Sequence, residues 1–393
     1  MTADVSLQSL LERVRVIEPV LRRHSAQAEN QRRLSSEATD AMRKQGLFRL
    51  WKPRSLGGLE LDPSTAFALF EEVSRIDSAA GWNLQLSCGA DPFLAWFPDQ
   101  GARETFADPG AILGGAFFPP RQAITVKGGY RVSGRTPFTS GAHHCTQFLG
   151  LAQVYDGDRP RLGADGNPVS IITSCPASDV GILDTWHTMG MRGTGSHDTV
   201  MEDVFVPEHR VALLVPRTRS AADFEGPLYR YTAWVSIAAL ATPALGIARA
   251  ALDDLLELGG KKSPAYLVKP LKERAPVQAA LGEAEATLGA ARAYLHEAAR
   301  EFWDRACRGE YIDRPAKIKL QLAGTHAALA AAKVVDLVYR VVGTTGIRQE
   351  HRFERHFRDV HTIMHHGYIA PGRYESVGQL MFGVPVEWPF YSI

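Results

Sequence analysis

The sequence predicts a mainly α protein with a small antiparallel β domain set between two helical regions. Three observations carry that prediction. Apolar residues recur at spacings of three and four near the N-terminus, the texture from about residue 110 to 215 turns to short segments separated by Gly, Pro and Asp, and long Ala- and Leu-rich runs return from about 228.

In the first region Leu7, Leu10, Leu11, Val14, Ile17 and Leu21 make one helical stripe. Ser35 or Ser36 then caps a helix that ends at Gly46, and Asp62 followed by Pro63 opens a helix through "AFALFEEVSRI". The middle region supplies "AITVKGGYRV", "TQFLGLAQVY", "VSIITSC" and "HDTVMEDVFVP" as strands. "VSIAALATPALGIARAALDDLLEL", "PVQAALGEAEATLGAARAYLHEAAREFWDRA", "AKIKLQLAGTHAALAAAKVVDLVYRVV" and the histidine-rich "RDVHTIMHHGYIAP" read as the helices of an antiparallel four-helix bundle. The expected domains are 1–108, 109–225 and 226–393. Tyr231 to Ala248 has no charge and the length of a minimal membrane span, but its Ser, Thr, Pro and Ala make it only mildly apolar. A buried core helix kinked at Pro243 is expected there.

A chain of 393 residues exceeds what one hydrophobic core serves, and 45% hydrophobic residues with a net charge of +1 fit a folded protein of small-molecule partners, with neither nucleic acid nor membrane among them. The four cysteines form no Cys-x-x-Cys pair, which argues against a zinc site or a disulfide framework and makes the reducing cytoplasm the expected compartment. Asp4 and Glu12 interrupt the apolar residues of the N-terminus, unlike a signal peptide.

His361, His365 and His366 crowd the last quarter of the chain. A metal is not expected there, because a di-iron bundle also needs Glu-x-x-His, and no Glu in this chain has His three positions later. "GMRGTGS", Gly190 to Ser196, lacks the Gly-x-Gly-x-x-Gly order and leads into a strand, so no site for a nicotinamide cofactor is evident. Gly-x-Ser-x-Gly is missing too; Ser140 near His143 and His144 in "TSGAHHC" is no hydrolase triad.

Three segments in order, "GGYRVSGRTPFTSGAHHCTQF", "TWHTMGMRGTGSHDTVMEDVFVPEHR" and "RFERHFRDVHTIMHH", resemble the acyl-CoA dehydrogenase superfamily over nearly the whole chain. The resemblance implies an N-terminal helical domain, a central β-barrel and a C-terminal four-helix bundle. Where the dehydrogenases carry a Gly-Gly-Thr-x-Glu-Ile-like segment this chain reads "HHGYIAPGRYE", which places it nearer the two-component flavin monooxygenases acting on 4-hydroxyphenylacetate, indoles and dibenzothiophene, and the nitrososynthases.

That branch implies an oxygenase component that uses a flavin hydroperoxide to hydroxylate a small phenol, indole or amine. It implies reduced FMN, or reduced FAD, from a separate NAD(P)H flavin reductase, molecular oxygen, and a homotetramer. By the same resemblance His366 faces the reactive edge of the flavin and exchanges protons as an imidazole titrating near neutrality, with His361 and His365 as packing partners. Ser140, in "Phe-Thr-Ser-Gly", hydrogen-bonds the flavin; Phe138, Thr139, Trp186, Arg192, Gly193, Thr194, Gly195 and Ser196 complete its binding surface. Phenol-hydroxylating members have a histidine eight residues after the tryptophan matched by Trp82; here Ala90 stands, with Asp91 next, so Trp82, Ala90, Asp91 and His143 or His144 are the candidate substrate contacts. Thr136 and Pro137 intrude where the family has Gly-Arg-Trp. The competing readings are an acyl-CoA dehydrogenase-type enzyme holding FAD permanently and a non-catalytic binding protein of the same fold.

Overall fold

The computed structural model describes residues 6–214, 221–230, 232–263 and 268–386. Helix α1 (Leu7–Gln31) starts where the Ser6 hydroxyl accepts the Ser9 N–H, and it buries Leu10, Val14, Ile17 and Leu21 while Leu7 stays at its exposed end. Ser35 caps α2 (Ser36–Lys44), and Asp62 caps α3 (Pro63–Ile76) by accepting the Thr65 N–H at 3.0 Å. Asp77 ends α3 and caps α4 (Ser78–Ala90), accepting the Ala80 N–H at 2.9 Å. A short α5 (Asp99–Thr105) leads to the sheet.

The strands are β1 (Leu113–Val126), β2 (Gly129–Thr139), β3 (Gln147–Asp156), β4 (Arg159–Pro160), β5 (Ser170–Pro176), β6 (Gly181–Leu183), β7 (His197–Pro207) and β8 (Val211–Leu213). They form one sheet in the order β6-β7-β2-β1-β3-β5-β8, with β4 paired to β3. Two expectations are corrected. The sheet is not closed into a barrel: β7 and β8 are joined by Glu208–Arg210 yet sit toward opposite edges, and among the described residues no pairing closes the gap. Closure needs continuous pairing between the edge strands, and here Pro207 ends β7 without a donor while β6 and β8 are three residues each. The sheet is also not purely antiparallel, because the connection from β2 enters on the far edge of β1 and sets β3 parallel to it. Ala123, Val132, Phe148, Ala152, Val154 and Ile171 fill the sheet's own core.

The rest is α6 (Thr232–Ala239), α7 (Thr242–Gly259), α8 (Ala275–Cys307), α9 (Arg314–Val342), α10 (Phe353–Ile363) and α11 (Gly372–Phe382). The apolar stretch is broken into α6 and α7 rather than kinked; Pro243 lies in the first turn of α7, where its missing N–H costs nothing. Tyr231 lies outside the described residues. The segment Ala233–Gly259 is long and apolar enough to cross a membrane, and 89% of its apolar window is buried inside the protein. Helices α7, α8 and α10 pack on α9, and α3 lies along α7, so both helical regions share one core. Helix α10 ends at Ile363, so His365 and His366 lie in the following turn and not on a helical face.

Candidate active site

Trp82 projects from α4, whose N-terminus Asp77 fixes. Its indole N–H is donated to Ser140 Oγ at 3.0 Å, and its ring lies edge-on to His366 with centroids 5.6 Å apart. Ser140 follows the end of β2, where Pro137 interrupts the pairing with β7 and Phe138 takes a left-handed φ of 63°. That bulge turns Phe138 outward, 67% exposed, against the edge of Trp186 at 6.2 Å.

A chain of hydroxyls runs back from Ser140. Ser140 Oγ and Ser196 Oγ are 2.6 Å apart, Ser196 Oγ and Thr194 Oγ1 are 2.6 Å apart, and Thr194 Oγ1 donates to the Met191 carbonyl at 2.7 Å. A carbonyl only accepts, so the single proton of Thr194 is committed to Met191. Ser196 therefore donates to Thr194, and Ser140 to Ser196. Ser140 is left with one lone pair filled by Trp82 and one open, which makes it an acceptor toward a bound molecule.

The segment Met191–Ser196 is folded tightly: Met191 and Gly195 are left-handed, and Gly193 fits because a Cβ there would meet the Ala79 and Ala28 side chains at about 3 Å. The Thr194 carbonyl accepts from Gly141 N at 2.8 Å and Asn83 Nδ2 at 3.2 Å. The Trp186 indole donates to the Met191 carbonyl at 3.0 Å. Asp359 of α10 holds the same segment, accepting the Met191 N–H at 2.5 Å together with the Ser78 hydroxyl and, at 3.3 Å, Arg355. Arg358 does not pair with Asp359; it binds Glu354 and Glu29.

His366 Nδ1 accepts the Tyr368 N–H at 3.4 Å, which leaves the proton on Nε2. Burial pushes the imidazole down to about 4, so it is neutral at pH 7, where the sequence had suggested a group titrating near neutrality. His361 Nε2 lies 3.0 Å from an Asp336 carboxylate oxygen and its ring is tilted against Phe357, and His365 is exposed.

Of the candidate substrate contacts, only Trp82 joins Ser140 and His366. Asp91 is fully buried with neither oxygen hydrogen-bonded among the described residues; burial pushes its carboxyl up to about 8 against the pull of Lys52. Lys52 itself donates to the carbonyls of Pro109, at 3.2 Å, and Ala111. His143 packs edge-on against His197 at 5.0 Å. Ala90 closes α4 half-buried. Behind Ser140 a cavity of about 10 Å³, the room of one water, is lined by Asn83, Ser87, His144 and Cys145.

The residues present fit a flavin. An exposed Phe138 on Trp186 would offer an apolar shelf for a flat ring, and the hydroxyls of Ser140 and Ser196 would offer hydrogen bonds to its polar edge. Such a group supplies the activation of oxygen, and the side chains around it bind, orient and exclude water.

Comparison with known proteins agrees. Residues 8–106 match the acyl-CoA dehydrogenase N-terminal domain and residues 238–371 the acyl-CoA dehydrogenase C-terminal domain. The chain is 32% identical to the indole-3-acetate monooxygenase of Pseudomonas putida, over 90% of this chain and 89% of that one. It is 30% identical to the oxygenase component of a FADH2-dependent resorcinol hydroxylase from a Rhizobium species, over 72% of this chain and 70% of that one. Among solved structures, XiaF from a Streptomyces species, in complex with FADH2 and glycerol, superposes with a TM-score of 0.90 at 28% identity, covering 98% of this chain and 97% of that one.

The chain belongs to the acyl-CoA dehydrogenase family. Within that family it is the oxygenase component of a flavin-dependent monooxygenase, working with reduced flavin and molecular oxygen.

Sequence reasoning passed over Asp359 and Asn83, which hold the segment Met191–Ser196; the available signal was position, since Asn83 directly follows Trp82 in α4.

Proposed function

We propose that the protein hydroxylates a small aromatic substrate, of the indole or phenol class, beside the contacting group Trp82, Ser140 and His366. The observation that carries the reading is the direction of the hydroxyl chain, which leaves Ser140 with an open lone pair beside the Phe138–Trp186 shelf. A reduced flavin ring carries an N–H on its central ring that the oxidised ring lacks, so an acceptor at Ser140 favours the reduced form. Arg192, Gly193, Gly195 and Thr139 complete the cradle, and the neutral His366 offers its Nε2–H as a hydrogen-bond donor to the reacting atoms. Relatives named for indole-3-acetate and resorcinol support an aromatic substrate.

Reduced FAD is preferred over the reduced FMN first expected, because the resorcinol hydroxylase is FADH2-dependent and XiaF is complexed with FADH2. It comes from a separate reductase, consistent with a relative described as an oxygenase component. We place the protein in the cytoplasm, where its four free cysteines stay reduced, as a homotetramer of three-domain protomers divided near 108 and 225. Met381 and Phe382 at the end of α11, 74% and 88% exposed, are apolar groups that a subunit contact would cover.

The test mixes protein loaded anaerobically with reduced FAD, or reduced FMN, against oxygenated buffer. The oxidised-flavin absorbance is expected to return later than oxygen is consumed, and later with FAD than with FMN. Re-oxidation as fast as that of free flavin would overturn the reading.

A further inference from the structure

The space behind Ser140 has a polar lining that the family motifs do not explain. The cavity of about 10 Å³ is bounded by Asn83 and Ser87 of α4 and by Ser140, Gly141, His144 and Cys145 of the turn that follows β2. Asn83 and Ser87 stand four residues apart and so share one face of the helix. The turn is wound on the Gly141 carbonyl, which accepts the His144 N–H at 2.8 Å, the Cys145 N–H at 3.2 Å and the Cys145 thiol at 3.3 Å. Gly141 is left-handed at a φ of 68°, and a Cβ there would lie 3.5–3.6 Å from the atoms of the Asn83 amide. That amide therefore rests directly on the cavity's own wall.

Three residues of the lining each carry a buried polar atom with no hydrogen-bond partner among the described residues: Asn83 Oδ1, Ser87 Oγ and His144 Nε2. The Asn83 and Ser87 side chains are 7% and 2% exposed. Other polar groups of the lining have their protons committed, that of Thr39 to the Ser35 carbonyl and that of Cys145 to Gly141. The Asn83 amide cannot be turned over, because its Nδ2 faces the Thr194 carbonyl at 3.2 Å, so its oxygen is an acceptor. A serine hydroxyl gives or takes, and the His144 ring, which burial holds below the ordinary histidine range, is neutral at pH 7 and gives or takes one hydrogen bond at Nε2.

Such a set calls for a small molecule that donates to Asn83 and both donates and accepts elsewhere. Water meets it from any tautomer of His144, has the two to four polar partners that a buried water needs, and matches the volume. Dioxygen donates nothing and would leave Asn83 Oδ1 desolvated and unpaired. We infer that the cavity is a built site for one ordered water, held by Asn83 Oδ1, Ser87 Oγ and His144 Nε2, which braces α4 against the turn bearing Ser140. Through the Asn83 amide the same water steadies the Thr194 carbonyl, which Gly141 also holds by its N–H at 2.8 Å. The site stands on the lining alone and is independent of the flavin reading.

The first test is a crystal structure of the wild-type protein at a resolution that shows ordered waters. A single water is expected within hydrogen-bond reach, about 2.7–3.2 Å, of Asn83 Oδ1 and of at least one of Ser87 Oγ and His144 Nε2. Absence of density there, or a water that leaves Asn83 Oδ1 unmet, overturns the site. The second test is thermal melting of Ser87→Val, whose methyl groups take the place of the hydroxyl and of the water. With a ligated water, its displacement strands Asn83 Oδ1 and His144 Nε2, and the melting midpoint is expected to fall by at least about 2 °C. In a dry cavity the same methyls fill a void and remove an unpaired hydroxyl, so the midpoint rises. A midpoint that rises or stays unchanged overturns the inference, and the wild-type density decides it if the variant does not fold.

Discussion

Trp82 donates its indole N–H to the Ser140 hydroxyl across 3.0 Å, and this bond joins the fourth helix to the end of the second strand. Because the edge of the same ring meets His366, one indole spans the sheet and the C-terminal turn. Either neighbour can be altered to test what the indole holds in place.

Ser140→Ala removes the acceptor of Trp82 and the donor to Ser196. The variant is expected to lose about 1–2 kcal/mol of stability, the cost of leaving a buried donor unmet. Its loaded form should return to oxidised flavin at least about tenfold faster, in line with the loss of one preorganised polar contact. Stopped-flow absorbance and urea denaturation read the two effects, and unchanged re-oxidation would remove Ser140 from the flavin edge.

Phe138 is two-thirds exposed, so Phe138→Ala should leave stability within about 0.5 kcal/mol. If the ring is the shelf for flavin, affinity for reduced flavin falls about three- to tenfold, the value of an aromatic contact. Anaerobic fluorescence titration gives the constant; an unchanged value would place the flavin elsewhere.

His366 sets an acid limit on stability. Its folded-state pKa of about 4 lies below the ordinary histidine value because burial disfavours the imidazolium. Between about pH 6.5 and 4 the unfolded chain binds a proton that the folded chain refuses, so stability is full above that window and falls as pH drops through it. Thermal midpoints measured across the window should fall less steeply for His366→Asn. The wild-type rate profile should show no limb near pH 6.5 from this residue.

Asp91 works in the opposite direction. Burial raises its carboxyl to about 8, so the folded chain keeps a proton that the unfolded chain releases, and stability declines as pH rises from about 4 toward 8. Asp91→Asn removes that decline and should stabilise the protein by about 1–3 kcal/mol at pH 8, with little gain at pH 4. Equal effects at both pH values would mean the carboxyl is ionised in the fold.

Asp359→Ala strips partners from the Met191 N–H, the Ser78 hydroxyl and the buried Arg355 at once. A loss of about 3–5 kcal/mol is expected, as for other broken buried charge pairs. A loss under about 1 kcal/mol would show that Asp77 and Glu29 suffice for Arg355.

Features written in neighbouring residues were legible. The Ser35 and Asp62 caps, the strands of the middle region and the helical stripe of α1 follow from side chains acting within a few positions of themselves. Ser140, Trp82, Ser196 and His366 were proposed because a family pattern names them, and the structure brings them into contact through hydrogen bonds and a ring pair. What could not be read depends on distant partners. The open sheet reflects its short edge strands β6 and β8, each paired on one side only, and the end of α10 at Ile363 leaves His365 and His366 outside the helix to which the sequence had assigned them. The neutral state of His366 comes from burial, with Trp82, distant in the chain, packed against its ring.

The Asp359 carboxylate has a bearing on how the chain matures. It closes spans of 281 residues to Ser78 and 168 residues to Met191. Contacts this distant in sequence carry the largest loop-closure entropy and form after the local helices and hairpins. The tight segment beneath Trp186 is therefore fastened last, once α10 has left the ribosome and docked. A growing or truncated chain can own Phe138, Ser140 and Trp186 and still lack their final arrangement, which arrives only once α10 is in place.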